Sequence, residues 1–81
     1  MATCKIKVFN PHQYDVHIKS GDGPNLSPSG CGTVRAGRTE SMTFSHGKWL
    51  FYDKTTNNRH SPLLGQVQFD NQMFTVPQVP D

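Results

Sequence analysis

Apolar residues in this chain alternate with polar ones in short bursts and almost never return at the spacing of a helix. Residues 5–9 read Lys-Ile-Lys-Val-Phe, 14–19 Tyr-Asp-Val-His-Ile-Lys, 39–44 Thr-Glu-Ser-Met-Thr-Phe and 66–69 Gln-Val-Gln-Phe. A half-buried strand requires this alternation, because its successive side chains point to opposite faces of the sheet. The pattern predicts strands over Cys4–Phe9, Tyr14–Lys19, Thr39–Ser45, Lys48–Thr55, Gly65–Phe69 and Gln72–Val76. The continuous apolar run Trp49-Leu-Phe-Tyr52 suits a central strand buried on both faces.

The breaks between strands carry turn chemistry. Pro11 cannot donate to a ladder, so Asn10–Gln13 reads as a turn and the first two strands as a hairpin. Residues 20–33 hold four glycines and two prolines and are expected to be irregular. His46-Gly47 and Asp70-Asn71 read as tight turns, and Pro77 and Pro80 end regular pairing. The expected fold is all-β: a small six-stranded antiparallel β-sandwich of two three-stranded sheets. Its inward set would be Ile6, Val8, Val16, Ile18, Met42, Phe44, Leu50, Tyr52, Val67, Phe69, Phe74 and Val76. Eighty-one residues make one domain over 1–81, with 1–3 and 77–81 as flexible ends.

Composition narrows the function more than the fold. Hydrophobic residues are 33% and charged residues 17%, with Gly, Pro, Ser, Thr and Asn filling the difference, as in a strand-and-turn protein. A net charge of +2 gives no argument for nucleic acid or an anionic membrane. The N-terminus lacks the apolar stretch of a signal peptide. The chain is then either intracellular as written or a secreted protein whose signal has been replaced by Met1.

Cys4 and Cys31 bear on that choice. Paired, they would close a loop of about 27 residues, worth roughly 3.5 kcal/mol in the chain-entropy model. An even count in a short chain leans towards this disulfide and a secreted context, the alternative being two free thiols.

No constellation points to catalysis. His12, His17, His46 and His60 have no zinc-motif spacing, and the two cysteines are too far apart for a knuckle. The acids are scattered, and no nucleophile elbow or phosphate-binding glycine pattern occurs. The expectation is a non-enzymatic protein with no metal and no cofactor. Trp49 or Phe51, if turned outward, could offer a platform for a sugar or a protein partner.

Two families resemble parts of this chain. Lys5-Ile-x-Val-Phe9 followed by Tyr14, Pro24-Asn-Leu26, Ser41-Met-x-Phe44 and Gly47-x-Trp49-x-x-Tyr52-Asp53 are similar to a Greek-key motif of the βγ-crystallins. The glycine which that motif needs is replaced by Asp15 or Val16, and a second motif would be too short. This resemblance implies a carbohydrate- or calcium-binding module using Trp49 and the Asp70-Asn71 turn.

The preferred resemblance is to the MAX effectors of plant-pathogenic fungi, which include avirulence proteins and ToxB-like toxins, and it covers nearly the whole chain. Thr3-Cys4-Lys-Ile-Lys-Val-Phe-Asn10 resembles their first strand, with its cysteine at the head. Gly30-Cys31 followed by Val34-Arg-Ala-Gly37 and Thr39 resembles the entry to their third strand, and Gln66-Val67-x-Phe69 their final hairpin. Asn57-Asn58-Arg59-His60, where the family's second cysteine is expected, has none.

The resemblance implies a secreted, monomeric effector that then acts inside host cells by binding a host plant protein such as a heavy-metal-associated domain. Strand two, Tyr14, Asp15, Val16, His17, Ile18 and Lys19, is the expected contact surface. It would be an exposed edge anchored by Val16 and Ile18, with Asp15, His17 and Lys19 outward.

Overall fold

The computed structural model of the chain describes residues 2–24, 29–54 and 62–78, apart from the side chain of Cys31. Those residues form seven strands and no helix: β1 (Thr3–Phe9), β2 (Val16–Gly21), β3 (Ser29–Val34), β4 (Thr39–Ser45), β5 (Trp49–Lys54), β6 (Leu63–Gln66) and β7 (Met73–Thr75). They assemble as a three-stranded sheet, β4-β1-β7, and a four-stranded sheet, β3-β2-β5-β6. The all-β expectation holds, with seven strands in place of six.

Alternation decides which side of each strand is buried. On β1 it turns Cys4, Ile6 and Val8 inward and Thr3, Lys5 and Lys7 outward. Val16 and Ile18 of β2, Val34 of β3, Leu50 and Tyr52 of β5, Val67, Phe74 and Val76 complete one core shared by both sheets. Met42, Phe44, Tyr14 and Leu64 pack on its margin. Phe69, expected inside, is 58% exposed, because β6 ends at Gln66 and Phe69 lies in the turn leading to β7.

The chain changes sheet four times, three of them where the sequence suggests simple turns. β1 and β2 lie in different sheets, so the expected hairpin between them does not form. β6 and β7 are likewise divided, and β7 instead pairs in parallel with β1. The tight turn at His46-Gly47 is present, but it carries the chain from β4 in one sheet to β5 in the other. Gly47 takes a φ of 93° there, and its N–H donates to Val67 O at 2.7 Å.

The stretch 20–33, expected to be irregular, contains β3. In its ladder with β2, Ile18 faces Gly32 and Lys19 faces Gly30, so Cys31 is the extra residue of a bulge. Cys4 is a free, buried thiol in the other sheet, and the Cys31 side chain needed for the expected disulfide lies outside the described residues.

Tyr52 gives this core a pH dependence. Burial, with Tyr14 adding, raises its pKa. The unfolded chain therefore loses the Tyr52 proton first, and stability should fall as pH rises above the ordinary tyrosine value of about 10. Urea midpoints compared between pH 8 and 11 should decline less in Tyr52→Phe than in the parent.

Candidate functional site

The structure divides the six expected contact residues among four environments. Val16 and Ile18 are fully buried in the core. Tyr14 precedes β2 and stacks on His12, with ring centroids 4.9 Å apart and planes 3° from parallel, and Lys54 Nζ lies 4.7 Å from its ring centre. Asp15 accepts a hydrogen bond from Ala36 N at 3.0 Å. His17 and Lys19 stand on the outer face of the four-stranded sheet, opposite Asp53 and Phe51 of β5.

The expectation that strand two is an edge is overturned. β2 pairs with β3 on one side over Val16–Ser20 and with β5 on the other over Val16–Gly21. Its backbone groups belong to two ladders, so no partner strand can be added there. The sequence shows that these residues alternate but cannot show how many neighbours the strand has.

His17 and Lys19 instead converge on a buried carboxylate. Lys19 Nζ donates to Asp53 Oδ2 at 2.7 Å, and His17 Nδ1 lies 3.7 Å from Asp53 Oδ1. Asp53 is fully buried and Phe51 is 4% exposed, although neither points into the shared core. An open groove of about 250 Å³ runs beside His17, lined also by Ile18, Gly30, Gly32 and Thr33. A carboxylate closed on one side by a lysine is a structural ion pair.

The edges lie elsewhere, at β3 and β6 of the four-stranded sheet and β4 and β7 of the other. β3 and β6 each carry a bulge or irregularity in their ladders, and β7 has three residues. β4 differs: seven consecutive residues pair with β1 without interruption, with no proline and a single charge, Glu40.

Two flanking bonds fix the phase of the β1–β4 ladder. His46 N donates to Ala2 O at 3.0 Å and Asn10 N to Arg38 O at 2.9 Å. Antiparallel pairs alternate between hydrogen-bonded and non-bonded, so Cys4–Phe44, Ile6–Met42 and Val8–Glu40 are the bonded pairs. Thr39, Ser41, Thr43 and Ser45 must therefore direct their N–H and C=O groups away from β1.

The other side of β1 agrees with this phase. Lys5 N donates to Asp70 Oδ1, Lys7 N to Gln72 O, Asn71 N to Lys5 O and Val76 N to Phe9 O. The Ser45 carbonyl accepts from Lys48 N at 3.2 Å. Among the described residues, no ladder occupies the outward groups of Thr39, Ser41 and Thr43. They form a row of three donors and three acceptors along an exposed strand.

No group of three or more His, Cys, Asp or Glu among the described residues could hold a metal. Asp70, the acid of the turn that the crystallin resemblance singles out, uses Oδ1 on Lys5 N at 2.7 Å. No described helix is long and apolar enough to cross a membrane. Comparison with protein-family models, curated proteins and solved structures gives no match.

Proposed function

We propose that this chain is a non-enzymatic binding domain that captures an extended segment of a partner protein along β4. The observation that carries the reading is the row of backbone groups on Thr39, Ser41 and Thr43 that no ladder among the described residues occupies. A long, regular edge strand templates pairing with another chain, and proteins ordinarily guard such an edge with bulges, prolines, short length or charges. β3, β6 and β7 have such guards, and β4 has only Glu40.

Main-chain bonds along the edge would supply affinity, and alternate side chains of the added strand would supply selectivity. The resemblance to secreted fungal effectors supplies the partner class, a host plant protein such as a heavy-metal-associated domain. The edge used is β4 instead of strand two.

The ladder phase supplies the test. A proline at position 41 removes an N–H that points away from β1, and edge strands tolerate proline at such a position. A proline at position 42 removes an N–H from the β1 ladder and should damage the fold. Ser41→Pro should keep its circular dichroism and urea midpoint while binding to candidate host domains weakens roughly tenfold or more. Undiminished binding by folded Ser41→Pro would remove β4 as the contact edge.

A further inference from the structure

We infer that the strand accepted by β4 is acidic on one face, with acidic residues at two positions separated by one apolar residue. This rests on β4 being the contact edge. In an antiparallel sheet, residues directly opposite one another share a face. Across the three-stranded sheet, Lys5 of β1 stands opposite Thr43 of β4, and Lys7 opposite Ser41. All four are on the outer face, turned away from the core. Residues of an added strand that face Thr43 and Ser41 would extend the same two rows.

Short hydroxyl side chains alone would separate them from the two lysines. Neighbouring strands lie about 4.8 Å apart, so the added residue and the lysine would be about two such spacings apart at the backbone. Lysine and glutamate side chains together span that distance over serine or threonine. Neither lysine takes part in an ion pair among the described residues. Arg35 and Arg38, both exposed just before β4, add positive charge at the Thr39 end.

The opposite face makes a different demand. The residue between the two acids would face Met42, which is half-buried beside the core, and an apolar side chain there would cover it and the neighbouring Phe44. The residue beyond the second acid would face Glu40, the single acid of β4, where a further acid would be repelled. Read from N to C along a partner that runs antiparallel to β4, the favoured segment is acidic, apolar, acidic, then neutral or basic.

Three fluorescent peptides of equal length provide the test: one with Glu-Val-Glu-Lys at its centre, one with both Glu replaced by Gln, and one with both replaced by Lys. Each is titrated against the parent, Lys5→Gln with Lys7→Gln, and Ser41→Pro, with circular dichroism on each protein. The acidic peptide should bind the parent about fivefold tighter than the Gln peptide, the scale of two exposed ion pairs. That advantage should vanish in the double-lysine variant and shrink as salt is raised past the point where the Debye length is about 3 Å, near 1 M.

Equal affinity of the acidic and Gln peptides for the parent, with both lost in Ser41→Pro, would overturn the acidic preference and leave β4 as the edge. Binding undiminished in Ser41→Pro, or no binding by any peptide, would overturn the β4 reading itself. A parent dimer in sedimentation that Ser41→Pro abolishes would assign the edge to a second copy of this chain and overturn the acidic partner.

Discussion

Asn10→Ala should lower the folding free energy by about 3–5 kcal/mol, the most damaging single truncation of a polar side chain expected in this domain. Asn10 is fully buried at the end of β1. Its Nδ2 donates to Tyr14 O at 2.7 Å and Val34 O at 3.1 Å, and its Oδ1 accepts from His12 N at 3.0 Å. One amide thus joins the end of β1, the segment leading into β2 and the end of β3. It ties the two sheets together where the chain crosses between them.

Alanine would leave two carbonyls and an N–H without these partners, and each buried unsatisfied group costs about 1–3 kcal/mol. A domain of this size has a total stability of only about 4–12 kcal/mol. Urea denaturation followed by circular dichroism measures the loss. Asn10→Asp is the sharper control, because it keeps the volume and the acceptor but points a carboxylate oxygen at two carbonyls.

That carboxyl should have a folded pKa above the unfolded value of about 3.9. The N10D penalty would then be full at neutral pH and shrink as acid protonates the group, opposite to the usual acid loss of stability. Midpoints like the parent's for both variants would mean that the amide does not hold the sheets together.

How far the sequence foretells this arrangement depends on whether a property is local. The faces of β1 and β2 follow from alternation alone, with Ile6, Val8, Val16 and Ile18 inward as read. On β5, a continuous apolar run, Leu50 and Tyr52 also turn into the core as read. β3 escapes because Ser-Gly-Cys-Gly-Thr carries no apolar alternation, and its strand character comes from pairing with β2. Propensity disfavours glycine in strands, and tertiary pairing overrides it.

The site fails for a related reason. Alternation in 14–19 and in 39–45 looks alike in the sequence, yet one strand has two neighbours and the other has one. Whether a strand is an edge depends on the order of strands in the sheet. That order is set here by four crossings between sheets, and the turns at three of them look like hairpin turns in sequence. Asn10 escaped for the same reason: Asn before Pro reads as a turn residue, and nothing local shows that its amide spans both sheets.

Gly65→Val should cost about 3 kcal/mol or more, at the upper end of what overpacking does to a core. Gly65 of β6 pairs with Leu50 of β5, which is fully buried. A Cβ at position 65 would lie 2.7 Å from Cε1 and 3.4 Å from Cδ1 of Phe74. That ring belongs to β7 in the opposite sheet and is itself buried, so it cannot swing into solvent. Gly65 has no left-handed backbone angle, so an added side chain would meet no conformational penalty. The gain from a less flexible unfolded chain is only about 0.4–1 kcal/mol, so the collision should prevail.

Gly65→Ala should then cost about 1–3 kcal/mol and Gly65→Val more. Phe74→Leu removes the ring atoms nearest the new Cβ. Its combination with Gly65→Ala should be less damaging than the sum of the two single changes, with a coupling of about 1–2 kcal/mol. Strict additivity in that cycle would show that the close approach of β6 and β7 is not what requires glycine at position 65. A Gly65→Ala variant as stable as the parent would show that the two sheets can part there without loss.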